Sequence, residues 1–277
     1  MPFATPSGDH GPTGIQAQRA ALPGARWKIR VGTDAIPQVT ILEVTGRLAE
    51  VDQDLDRSIE HALAEGPRGV VCDLTAVTER PDADALKVLA AAGRHVRDWR
   101  GIPVAVAYPD PQVRQALSAD PRGAHLILKA AKLPAVAAVL ATPKPAVERL
   151  HLVPHPTAPR ASRDFVSRAL AGLGLGRFAP TASLVVSELV TNAMDHAGTD
   201  MDVTLEANPE ALRLSVRDHH PDMPRQREAG LDPHGRGLHI VAGLSQAVGV
   251  LPTYDGGKVV WAVLHAPQTG PRQPRGS

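Results

Sequence analysis

Ser187-Glu188-Leu189-Val190-Thr191-Asn192-Ala193-Met194-Asp195-His196 places a carboxylate and a carboxamide one helical turn apart in an otherwise apolar run. At 3.6 residues per turn, Glu188, Asn192 and His196 share a face, while Leu184, Val185, Leu189 and Ala193 occupy neighbouring positions suited to pack inward. The spacing predicts a core-facing helix that keeps one polar stripe. A Glu-x-x-x-Asn pair alone also describes a solvated helix edge, so the downstream segments decide its meaning.

Those segments are a strand pattern at 211–217, the acidic turn Asp218-His219-His220-Pro221-Asp222-Met223-Pro224, and then Gly235-Arg236-Gly237-Leu238-His239-Ile240-Val241. In this order they resemble the GHKL-type ATP-binding fold. Within it they are most similar to the short serine kinases that act as bacterial anti-sigma factors, rather than to sensor histidine kinases or gyrases. The family's Asn box corresponds to 188–197, its adenine-binding Asp box to 218–224 and its glycine box to 235–241, with 257–264 as the closing strand. The resemblance implies ATP and Mg2+ as cofactors and transfer of the γ-phosphoryl group to a serine on an antagonist protein. A sigma factor is a further candidate partner, and assembly into a homodimer is left open.

Each box has a physical rationale of its own. The Asn192 amide oxygen is a hard, neutral ligand suited to a magnesium ion that keeps several waters and draws its other oxygens from phosphates. Glu188, one turn back, can orient or deprotonate an attacking hydroxyl. Asp218, at the end of a buried strand, can accept a hydrogen bond from an exocyclic amine such as that of adenine. Gly235 and Gly237 let backbone N–H groups approach phosphate oxygens at a helix start, and Arg236 is either a cation for the same phosphates or a solvated loop arginine. The chain departs from the family at the Asp box: His220 stands where many relatives have glycine, and 221–224 replaces the second glycine. The segment 225–234 is short for an ATP lid, so modest nucleotide affinity is expected.

Composition bounds the rest. The 277 residues suffice for two domains, each with its own core. Thirty Lys and Arg against 29 Asp and Glu give a net charge of +1, so no broad field for nucleic acid or membrane is expected, and the partner should be a protein. The single cysteine, Cys72, excludes an intrachain disulfide and sits in an apolar run as a small core residue. The histidines around the boxes match no common zinc-ligand spacing, and Ser187 and Thr191 lack a paired base. Gly172-Leu173-Gly174-Leu175-Gly176 comes after a helix pattern at 162–170, not the strand a dinucleotide loop needs, and reads as a helix-ending turn. No signal peptide or membrane span is visible, so a cytoplasmic protein is expected, with polar, Pro- and Gly-rich tails at 1–26 and 267–277 that read as disordered.

Before a Pro-rich break at 142–146, strand patterns at 39–45, 69–74, 102–108 and 125–128 alternate with helical ones at 54–64, 83–96, 110–117 and 133–140. This order predicts an α/β sandwich at 27–141. With Val44-Thr45-Gly46-Arg47-Leu48 and Val71-Cys72-Asp73-Leu74-Thr75-Ala76-Val77, it resembles the STAS domain of anti-sigma factor antagonists. In that family a serine in the loop after the Asp-Leu strand is phosphorylated by a partner kinase. Here the corresponding stretch is Asp82-Ala83-Asp84-Ala85-Leu86, and 79–117 contains no Ser or Thr. Asp84 is either a built-in mimic of phosphoserine or an ordinary acid at a helix start.

The fold expected is therefore α/β in two domains, a STAS-like sandwich at 27–141 and a GHKL-type sandwich at 147–266, the latter beginning with a strand at 149–153. The function expected is that of an ATP-dependent serine/threonine kinase acting on a STAS antagonist. The alternative is a catalytically weak or inactive, nucleotide-gated interaction module.

Overall fold

The computed structural model describes residues 28–32, 38–47, 52–81, 83–98, 101–220 and 236–265. Both tails, Asp82, the 221–224 part of the acidic turn, the short lid segment and Gly235 lie outside the described residues, as does the side chain of Arg236.

The first sheet has the order β1-β2-β3-β4-β5, formed by Lys28–Gly32, Val39–Gly46, Gly69–Val77, Val104–Ala107 and Ile127–Lys129. β1 runs antiparallel to β2, and the other neighbours are parallel. α1 (Asp52–Ala64), α2 (Ala83–Ala91), α3 (Gly93–Asp98) and α4 (Pro111–Ala119) cover one face. α5 (Lys132–Ala141) covers the other, where Ala135, Val136 and Val139 meet Val39, Val71, Ala105 and Ala107. The central parallel strands, β3 through Leu74 and β4, are buried on both faces, which explains their continuous apolar runs. Cys72 is fully buried among them, and burial pushes its thiol up to about 12, so it stays protonated.

Several boundaries differ from the sequence pattern. The helix expected over 83–96 is broken at Ala92, and the next helix opens at Gly93, where a Cβ would overlap the Arg122 carbonyl oxygen. The expected linker at 142–146 ends one residue earlier: Ala146 already opens β6 (Ala146–Leu152), whose first residue pairs with Ala207. That strand also begins before the 149–153 pattern.

The second sheet is antiparallel throughout, with order β6-β7-β8-β10-β9. Its other strands are β7 (Met201–Ala207), β8 (Ala211–Asp218), β9 (Ala247–Pro252) and β10 (Lys258–His265). One face packs on α6 (Ala158–Gly172), α7 (Ala179–His196) and α8 (Arg236–Leu244). α7 buries Val185, Val186, Leu189, Val190 and Ala193, each of the larger side chains contributing about 1.5–3 kcal/mol. Leu184, expected to pack inward, is 43% exposed, because it falls on the flank of the buried stripe. The middle of the opposite face of this sheet is covered as well. Ala211, Leu251, Val259, Trp261 and Val263 join one apolar cluster with Leu63, Val96 and Ile102 of the first domain. None of the described helices is long and apolar enough to cross a membrane.

Candidate functional site

Strand β8 separates two environments by its two-residue alternation. Leu212, Leu214 and Val216 point toward the helices, and Asp218 continues that row, whereas Arg213 and Arg217 point toward the first domain. Asp218 therefore lies on the same side of the sheet as α7. Its partner in register is Lys258, the first residue of β10.

Asp218 is 0% exposed and Lys258 1%. Lys258 Nζ donates to Asp218 Oδ1 at 2.9 Å, and the same oxygen accepts the His220 backbone N–H at 3.1 Å. Oδ2 is buried with no hydrogen-bond partner. Two ions taken out of water are tolerable only when paired this closely. The pairing also leaves the carboxylate a single oxygen for any ligand. Lys258 was not legible as a site residue. Its signal was a lysine opening the apolar strand 259–264, where an unpaired charge would be too costly to bury.

On α7, Glu188 and Asn192 are half-buried and His196 is exposed in the last turn. The helix ends where Ala197 and Gly198 both donate N–H groups to the Ala193 carbonyl, Gly198 at φ +60°, a left-handed conformation that glycine adopts without a Cβ penalty. Asn192 Nδ2 is buried without a protein partner, so the amide keeps a donor for an acceptor such as a ligand oxygen. Glu188 reaches the first turn of α8: a Cβ on Gly237 would lie 2.6 Å from Glu188 Oε2. The glycine thus makes room for the carboxylate beside the N–H groups of a helix start.

The loop joining β9 to β10 braces the end of β8. Asp255 accepts from Arg217 at 3.0 Å and from Thr253, and lies 3.2 Å from His219 Nδ1. Partial burial opposes its ionisation, but the Thr253 and Arg217 hydrogen bonds prevail and hold its carboxyl well below the usual range. His219 is thereby turned to Asp255, while its backbone N–H binds Thr199 Oγ1.

The structure thus places Glu188 against Gly237, Asn192 one turn further along α7, and Asp218 on the sheet face beneath. Asn192 keeps a buried donor and Asp218 a buried acceptor without a protein partner, and the absence of a Cβ at Gly237 lets the Glu188 carboxylate lie against the start of α8. These features fit a nucleotide with a divalent ion. Asn192 would contribute to holding the ion and Asp218 Oδ2 would accept from the base.

Residues 153–264 match the family model described as the histidine kinase-like ATPase domain. The C-terminal region is accordingly a GHKL-like ATPase domain within an α/β chain. Among solved structures, the chain is similar to an anti-sigma factor antagonist from Mycobacterium paratuberculosis, at 22% identity and a TM-score of 0.33 over 43% of this chain and 98% of that one. It is also similar to the RsbU and RsbW domains of a Mycobacterium tuberculosis protein, at 19% identity and a TM-score of 0.31, covering 43% of this chain and 32% of that one. No curated protein matches the sequence.

Proposed function

We propose that this protein is an ATP-dependent serine/threonine kinase of the anti-sigma-factor type. It binds ATP and Mg2+ in its C-terminal domain, phosphorylates a serine on a STAS-type antagonist, and regulates transcription in the cytoplasm by partner switching. The observation that carries this reading is the Glu188 carboxylate held against Gly237 at the start of α8, with Asn192 one turn away. A general base is thus set beside a candidate phosphate-binding helix start.

ATP bound there with Mg2+ supplies the γ-phosphoryl group and ADP as leaving group. Glu188 accepts the proton of the serine hydroxyl as its oxygen bonds to phosphorus and the bond to the bridging oxygen breaks. Asn192 would offer its amide oxygen to the metal, and Asp218 Oδ2 would accept one N–H of the base.

The test is incubation of the intact protein with Mg-ATP and STAS-domain proteins, followed by mass analysis for phosphoserine. Glu188→Gln keeps size and hydrogen bonding, so transfer should fall about a hundredfold or more while nucleotide affinity stays near its starting value. Asn192→Ala should remove the magnesium-dependent part of binding. Absence of ATP and ADP binding at millimolar concentration would overturn the nucleotide reading. The Lys258 ammonium on Asp218 Oδ1 favours a second reading, a nucleotide-gated docking module. Its signature is nucleotide binding with no transfer to any STAS protein, and no difference between the unmutated and Glu188→Gln proteins.

A further inference from the structure

A cleft of about 430 Å³ opens where the two domains meet, a volume within the range of small-molecule sites. One wall is the outer edge of the second sheet, with Arg149 on β6 and Glu206 on β7, reached through Lys144 before β6. The other wall is built by the segments that enter β2, β3 and β4, and carries Thr40, Glu65 and Arg68. The cleft belongs to the face of the second sheet that points away from α7, so it is distinct from the Glu188 and Asn192 stripe.

Its charges do not cancel. Both acids are already paired from β8: Glu65 accepts at 2.9 and 3.3 Å from Arg217, which it shares with Asp255, and Glu206 accepts from Arg213 at 2.9 Å in a pair whose side chains are 7% exposed. The cations are not neutralised. Arg68 donates through Nη2 to the carbonyls of Leu140 and Thr142 at the end of α5, and its Nη1 is buried without an acceptor. Lys144 and Arg149 have no carboxylate partner among the described residues. Among the described residues, three positive side chains thus line one cavity without a carboxylate of their own, beside two acids that are already paired. Guanidinium groups pair with phosphate oxygens through two parallel N–H bonds, and an ammonium adds a compact point charge. Among the described residues no aromatic side chain lines the cleft, so none of them offers a stacking surface for a base.

We propose that this interdomain cleft binds a small phosphorylated anion without a nucleobase, which bridges the two domains. Its walls come from both sheets, so a bound anion favours the docked arrangement over separated domains by mass action.

The probe is pyrophosphate, titrated calorimetrically into the full chain at low ionic strength, with glycerol 3-phosphate and inorganic phosphate as separate arms that distinguish a condensed phosphate from an ester or the free ion. Pyrophosphate should bind in the presence of saturating Mg-ATP and equally well to the Asn192→Ala protein, which excludes the nucleotide site. The Lys144→Ala/Arg149→Ala double variant alters exposed side chains and should weaken binding about tenfold or more. Its melting temperature without anion should stay unchanged, and Arg149→Glu should abolish binding. No binding of any of the three probes at millimolar concentration, equal affinity in the double variant, or loss of binding when Mg-ATP is added would each overturn the proposal.

Discussion

At Asp218 the carboxylate is held from one side by an ammonium and a backbone N–H and is bare on the other. That asymmetry has two consequences. A ligand meets only Oδ2, so a base offering one exocyclic N–H, as adenine does, fits better than guanine, which presents two adjacent N–H donors that need both oxygens. The second consequence is energetic: removal of one partner strands a buried charge, whereas removal of both does not. Lys258→Met should lower unfolding stability by about 3–5 kcal/mol in urea denaturation. Asp218→Asn/Lys258→Met should recover most of that loss. Additive losses in the double variant would show that the two side chains are not coupled in this way. Because Asp218→Asn also turns an acceptor into a mixed donor and acceptor, nucleotide binding should weaken in the double variant, independently of its stability.

Elements differ in how far their residues announced them. α7 was legible because its apolar positions recur at helical spacing and only one stripe is polar, and β8 because its apolar residues alternate. β1, β7 and β9 were not. β7 carries Asp202, Thr204 and Glu206 on the side turned away from the helices, and Glu206 is buried there only because Arg213, its register partner on β8, neutralises it. Such a strand looks polar until its partner is in place. The break at Ala92 was equally hidden: the close approach that requires glycine at the next residue, to the Arg122 carbonyl, involves a distant segment. Of the candidate site, the Glu188 and Asn192 stripe was readable from spacing, while the contact of Glu188 with α8 needed the tertiary fold. That contact makes a specific prediction. In Gly237→Ala the new methyl meets only the far end of a flexible side chain, so Glu188 can rotate away and the fold should stay intact, with melting changed by no more than a few degrees. Phosphoryl transfer should nevertheless fall, because the displaced carboxylate no longer sits beside the start of α8. Unchanged transfer in Gly237→Ala would mean that this position of Glu188 is not the catalytic one.

Across the whole molecule, the covered face of the second sheet is tied to the first domain by polar as well as apolar contacts. Arg217 joins Glu65 of one domain to Asp255 of the other, and Asp255 reaches on to His219 beside the buried Asp218. The Asp255 carboxyl is depressed, so its stabilising contribution is fully present above the ordinary carboxylate range and is lost only as pH falls through its lower folded value. This contribution to folding stability should therefore be kept down to about pH 5 and be lost below about 4; melting curves of the Asp255→Asn protein should lack that acid-dependent part. The same docking fixes where the first domain can act. Its contacts with the second domain come from the entry to β3 at Glu65 and Arg68 and from the end of α1, all at the edge where the parallel strands begin. β3 runs away from that edge, and α2 starts beyond its far end, with Asp84 in the first turn, exposed and paired with Lys87 at 2.8 Å. The loop that would carry a phosphoryl acceptor is thus turned away from the domain that would supply one. In the intact protein incubated with Mg-ATP, residues 28–141 should carry no phosphate. Asp84→Ser restores a hydroxyl at the helix start, where free N–H groups stabilise a phosphate, and any phosphorylation it gains should come from another molecule, with a rate that rises with the concentration of added kinase. A concentration-independent rate in Asp84→Ser, or phosphate on Thr75 or Thr78 of the unmutated chain, would show that this end of the domain does reach the site of its own chain.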